Sequence, residues 1–134
     1  LITENWSVKL TDFGLSVQEE KKKTTIQGVM GTPLYVAPEL IAGREETYKV
    51  DTYAFGVALY KLLTSKFPFD SNNVAEIMHS HCTVIPTPVK ELNPKIPNVW
   101  SDLVDACLQK NPLMRPNSLL EFTENGKLLE NAPF

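Results

Sequence analysis

The chain has 134 residues, 43% hydrophobic and 22% charged, with a formal net charge of −3. That length fits one domain with a real core, and the slightly acidic balance gives no reason to expect nucleic acid or an anionic membrane as partner. The longest apolar-rich run, residues 53–63, is interrupted by Lys61 and is too short to span a bilayer.

The first ten residues, "LITENWSVKL", lack the basic start, apolar middle and cleavage site of a signal peptide. They open on apolar and β-branched residues with no Met, which reads as a cut into a larger fold. Cys82 and Cys107 form no Cys-x-x-Cys, so a reduced intracellular, cytoplasmic protein is expected. The same ten residues pattern as two short strands meeting at Glu4 and Asn5, a β-hairpin over 1–11. Residues 15–30, "LSVQEEKKKTTIQGVM", show no period and carry two acids, three lysines and a Thr pair, the composition of an exposed loop. "GTPLYVAPELIAG" follows, with Pro33, Pro38 and a short helix ending at Gly43.

Residues 50–64 form the strongest helix candidate. Val50, Tyr53, Ala54, Val57, Ala58, Tyr60, Leu62 and Leu63 make it apolar nearly all round, which predicts a place in the middle of the domain. "SKFPFDSN" breaks it, and Asp70, Ser71 or Asn72 is placed to cap a helix through "VAEIMHSH". Residues 83–98 hold four prolines, which forbids long regular structure there. Trp100, Leu103, Val104, Cys107 and Leu108 then recur at amphipathic-helix spacing. A last helix is expected after Pro116, stopping near Gly126. The fold class is therefore mainly α: a hairpin, a long loop, then a helical bundle.

An Asp-Phe-Gly at residues 12–14 says little alone. "GTPLYVAPEL" begins nineteen residues after Asp12, "VDTYAFGVALYKLL" spans 50–63 and "NPLMRP" spans 111–116. In this order and spacing the four blocks resemble the second half of a serine/threonine protein kinase domain, from after its catalytic loop to the end of its large, C-terminal lobe. The resemblance covers the whole chain. It implies an activation segment at 12–39, a helical subdomain at 40–126 and a tail at 127–134, within a parent fold of the α+β class.

The resemblance also implies roles. Asp12 would give a carboxylate to the Mg²⁺ that bridges the ATP phosphates, oxygen ligands suiting a hard cation. Phe13 would pack inward, and Gly14 would let the backbone turn. Thr32 matches the Thr that contacts the catalytic-loop Asp beside the accepting hydroxyl, and the Gly-Thr-Pro form favours Ser/Thr over Tyr acceptors. Glu39 and Arg115 match a buried ion pair between the activation segment and the last helices. Asp51 matches a helix-starting Asp that bonds the catalytic-loop backbone, and a carboxylate there also suits a helix N-terminus. The position usually phosphorylated falls on Gly28, which leaves Thr24 and Thr25 as the candidate phosphosites.

Other motifs of that family do not occur in these residues: no glycine-rich loop, no Val-Ala-x-Lys strand, no His-Arg-Asp loop. By resemblance the partners are a protein substrate and the family's N-terminal lobe and catalytic loop, and the 134 residues alone are expected to be inactive. A non-catalytic pseudokinase or docking module is the alternative reading. Apolar surface around Phe13 and the hairpin is expected to favour self-association through exposed strand edges. His79, His81 and Cys82 read as an exposed helix end rather than a zinc site, because i and i+2 face different ways.

Overall fold

A computed structural model of the chain describes residues 33–122. They contain five α-helices: α1 (Pro38–Ile41), α2 (Lys49–Thr64), α3 (Val74–Thr83), α4 (Val89–Leu92) and α5 (Asn98–Cys107). Short 3-10 turns occupy Pro33–Tyr35, Pro112–Met114 and Leu119–Phe122. No strand occurs among the described residues. The expected hairpin, and the apolar surface around Phe13, lie outside them.

Helix α2 organises the core because its apolar residues recur at helical spacing. Tyr53, Val57, Tyr60 and Leu63 are buried and join Trp100, Leu103, Val104 and Cys107 of α5 in one cluster. At about 25 cal/mol per Å² of apolar surface removed from water, this face is the main source of stability for the described residues. The helix is not apolar-packed all round, as its composition suggested. Asp51, Phe55, Ala58 and Leu62 form an open stripe at i, i+4, i+7 and i+11, with Phe55 40% and Leu62 62% exposed. Composition overstated its burial because a helix can carry large apolar residues on two faces while packing only one.

The α2–α5 approach is close at Gly56. A Cβ added there would lie 2.6 Å from the Cys107 Cβ and 3.1 Å from a Leu108 methyl. The first of those atoms is fixed to the α5 backbone and cannot swing aside. Gly56→Ala should therefore lower the thermal midpoint, overpacking of about 1–3 kcal/mol outweighing the ~1 kcal/mol helix-propensity gain. An unchanged or raised midpoint in thermal unfolding would show that the helices separate freely.

Local chemistry sets the boundaries. Helix α2 starts where the Thr47 Oγ1 accepts the Lys49 N–H at 3.3 Å. It ends at Ser65, whose left-handed φ of 60° turns its N–H onto the Lys61 carbonyl at 2.8 Å. The cap of α3 is Asn73, whose Oδ1 accepts the Ala75 N–H at 2.9 Å, and not Asp70, Ser71 or Asn72. Ser71 instead braces the turn before the cap, its hydroxyl donating to Glu76 at 2.6 Å and accepting the Asn73 N–H. The proline-rich stretch holds the single turn α4, anchored by buried Val89 and Ile96. Tyr60 and Asn93 bond it to α2, at 2.9 Å to the Thr87 carbonyl and 3.3 Å to the Leu63 carbonyl. Where a last helix was expected, the described residues show a 3-10 turn over Leu119–Phe122. The remainder, to Gly126, lies outside them. No described helix is long and apolar enough to cross a membrane.

Candidate functional site

Helix α1 is only one turn, and its place depends on a charge. Pro38 at its start supplies a preset φ where no amide donor is needed. Glu39 follows in the same turn and is 4% exposed. A carboxylate so buried needs a partner, and Arg115 provides it: Nη1 lies 2.6 Å from Oε1 and Nη2 lies 2.8 Å from Oε2. The pair is bidentate, joins residues 76 apart, and is the one ion pair among the described residues.

Arg115 uses every donor it has. Beyond Glu39, its Nε donates to the Gln109 carbonyl at 2.8 Å, Nη1 to the Lys49 carbonyl at 2.8 Å and Nη2 to the Lys110 carbonyl at 3.4 Å. Five N–H groups thus meet five acceptors. The guanidinium also lies 4.8 Å from the Tyr53 ring centroid, a favourable cation–π position.

Lys49 extends the network. It is buried, yet its ammonium meets no carboxylate; it donates to the Arg115 carbonyl at 2.6 Å, the Pro116 carbonyl at 2.9 Å and Asn117 Oδ1 at 2.9 Å. Three donors and three acceptors satisfy it without a counterion. The start of α2, the Arg115 turn and α1 are thereby tied at one point.

Tyr53 connects this network to α3. Its hydroxyl lies 2.8 Å from His81 Nδ1, and burial pushes its pKa well above the ordinary value. His81 is fully buried, contrary to the exposed helix end expected for residues 79–82; His79 is exposed. Burial first, then the nearby Lys110 charge, push the His81 pKa down to about 4, and the Pro33 and Leu34 backbone groups oppose them only in part. The imidazole is therefore neutral near pH 7. Its Nε2 has no hydrogen-bond partner among the described residues. The ring also sits edge-on to Phe69, with centroids 5.0 Å apart.

In the turn before α1, Tyr35 meets Phe67 edge-on at 5.5 Å, and Lys61 Nζ lies 3.7 Å over the Phe67 ring. Asp51 sits in the first turn of α2, exposed, and makes no hydrogen bond to a described residue. It does not cap the helix: the N-cap is Tyr48, which makes no side-chain cap bond. Asp12, Phe13, Gly14, Thr24, Thr25 and Thr32 lie outside the described residues.

Sequence reasoning missed Lys49, Tyr53 and His81 as members of one network. Only His81 left a signal, standing four residues after Ile77 on the inward face of α3. No group of three His, Cys, Asp or Glu side chains that could hold a metal occurs among the described residues.

The family model described as protein kinase domain matches residues 1–125. A protein of Dictyostelium discoideum named a probable serine/threonine-protein kinase is 37% identical over 137 residues, covering 99% of this chain and 14% of that protein. The dual specificity protein kinase shkC of the same organism is 37% identical over 123 residues, 87% of this chain and 23% of that protein. The serine/threonine-protein kinase PkaA of Streptomyces coelicolor is 36% identical over 110 residues, 81% of this chain and 20% of that protein. The chain spans between about a seventh and a quarter of the length of these relatives.

Proposed function

The chain belongs to the protein kinase domain family, and from that premise we propose that it is the activation segment and helical subdomain of an ATP-dependent serine/threonine kinase. The Glu39–Arg115 pair is the observation that carries this reading. It ties Glu39, at the end of "GTPLYVAPE", to Arg115 of "NPLMRP", which fits a role in anchoring α1 for substrate positioning. Phosphoryl transfer asks a protein mainly for positioning and charge neutralisation, and a fully hydrogen-bonded buried anchor is suited to the first.

In this proposal Asp12 would hold Mg²⁺ beside the nucleotide phosphates, where the metal would supply charge neutralisation. Thr32 stands beside the accepting hydroxyl of a protein Ser or Thr. Glu39, Arg115 and Lys49 are positioning residues that act through the backbone they hold. These 134 residues include no general base of the His-Arg-Asp kind, whose loss typically lowers rates by about 10²–10⁴. The activity proposed is therefore that of a longer protein carrying this segment. The retention of Asp12 favours the enzyme over a docking module, which has no need of a metal-binding carboxylate.

The test is phosphotransfer by the full-length protein, with ATP, Mg²⁺ and a protein substrate. Asp12→Ala is expected to reduce incorporation by about 10²-fold or more while leaving the protein folded. Incorporation that is indifferent to Asp12→Ala would refute the assignment.

A further inference from the structure

We propose that the cleft bounded by α1, the end of α3 and residues 110–112 binds a phosphomonoester dianion between Lys110 and Arg44. The cleft has a volume of about 430 Å³, and its wall includes Glu39, Arg44, Cys82 and Lys110. Its charges do not balance within the described residues. Glu39 is the one carboxylate on the wall, and both its oxygens are taken by Arg115. Arg44 makes no side-chain hydrogen bond or ion pair among the described residues, and Glu45 and Glu46, which follow it, are exposed and do not line the cleft.

Lys110 is the less usual member. Its ammonium donates one bond, to the Ser80 carbonyl at 3.2 Å, and sits 4.4 Å over the Phe69 ring. Neither contact neutralises its charge, and Lys110 lines a cleft whose one carboxylate among the described residues, Glu39, is already paired with Arg115. A half-buried cation in that position ordinarily has a counterion. Burial, reinforced by Arg115 and opposed by Cys82, brings its pKa down to about 8, and a bound anion would reverse that shift. A phosphomonoester suits the pair better than a carboxylate, because its two charges serve two cations and its oxygens match the guanidinium fork. Free phosphate and a phosphorylated Ser or Thr side chain present the same group.

Cys82 reports on the site from inside it. Cys107, the other cysteine of the chain, is fully buried, so thiol alkylation of the folded chain reads Cys82. Inorganic phosphate at fixed ionic strength should slow that alkylation several-fold and saturably, with a midpoint on the order of 1 mM. Arg44→Gln and Lys110→Met should abolish the protection, and Lys110→Arg should keep it. Chloride giving equal protection, or both loss variants staying protected, would overturn the proposal. If Lys110→Met loses its helical circular dichroism, Arg44→Gln decides, since Arg44 is exposed; undiminished protection in it overturns the site. A phosphothreonine peptide run in parallel separates the sources. Protection at about tenfold lower concentration than phosphate assigns the site to a phosphorylated protein, and equal potency assigns it to the free ion.

Discussion

Arg115→Leu is expected to destabilise the chain by about 3–5 kcal/mol, seen as a lower urea midpoint with an unchanged slope. The size follows from what is left behind. Glu39 would remain buried without a counter-charge, and the Lys49, Gln109 and Lys110 carbonyls would each lose a donor. Against a typical total of about 5–15 kcal/mol, that loss brings the fold close to its limit. Arg115→Lys keeps the charge but cannot reproduce the bidentate fork and its further bonds, so it should recover only part of the loss. Glu39→Gln should fall in the same range as Arg115→Leu, because it leaves the guanidinium buried and uncompensated. The two together should cost less than the sum of the singles, as expected for groups that act as a pair. A loss below about 1 kcal/mol for Arg115→Leu would place the pair in solvent, where ion pairs contribute that little.

Acid should weaken the fold through His81. Its folded-state pKa, about 4, lies below the ordinary 6.5. Above pH 6.5 the imidazole is neutral whether the chain is folded or not, and its contribution is fully present. Between pH 6.5 and about 4 the unfolded chain takes up a proton that the folded chain refuses, so stability falls as pH falls. The loss approaches about 3 kcal/mol near pH 4 and grows no further below it. The groups that face the ring set this behaviour. Tyr53 from α2 bonds Nδ1, and Lys110, after α5, supplies a like charge that opposes protonation. Urea midpoints from pH 7 to 4.5 should drop more steeply for the native chain than for His81→Gln, which cannot titrate. Parallel slopes would mean that the ring takes up its proton inside the fold without penalty.

The sequence showed where the helices lie and not how their buried polar groups are satisfied. The density of apolar residues over 50–64 locates α2, and helical spacing locates α5, where Trp100, Leu103, Val104 and Cys107 recur on one face. The pairing of Glu39 with Arg115 has no periodic signal and came from the order of the motifs. Lys49 was invisible for a different reason: its acceptors are two carbonyls and an amide oxygen 66 to 68 residues away, and backbone acceptors carry no residue identity. The α3 cap was misplaced because Asp70, Ser71, Asn72 and Asn73 are all competent caps, and the backbone geometry that selects Asn73 is not written in residue type. His81 was misread because a polar residue on an inward helix face looks like the end of that face. Asp12 and Thr32, which the proposed chemistry needs, stand outside the described residues, so the resemblance alone supports their roles.

In the proposed kinase the hydroxyl that receives the phosphate belongs to Ser or Thr. Gly-Thr-Pro at residues 31–33 favours Ser and Thr, while one relative carries the name of a dual specificity kinase. Phosphoamino-acid analysis of a protein substrate labelled by the full-length protein with ATP and Mg²⁺ addresses that choice. Phosphoserine and phosphothreonine, both lost with Asp12→Ala, are the result expected; label confined to phosphotyrosine, or no label at all, would overturn the serine/threonine kinase assignment.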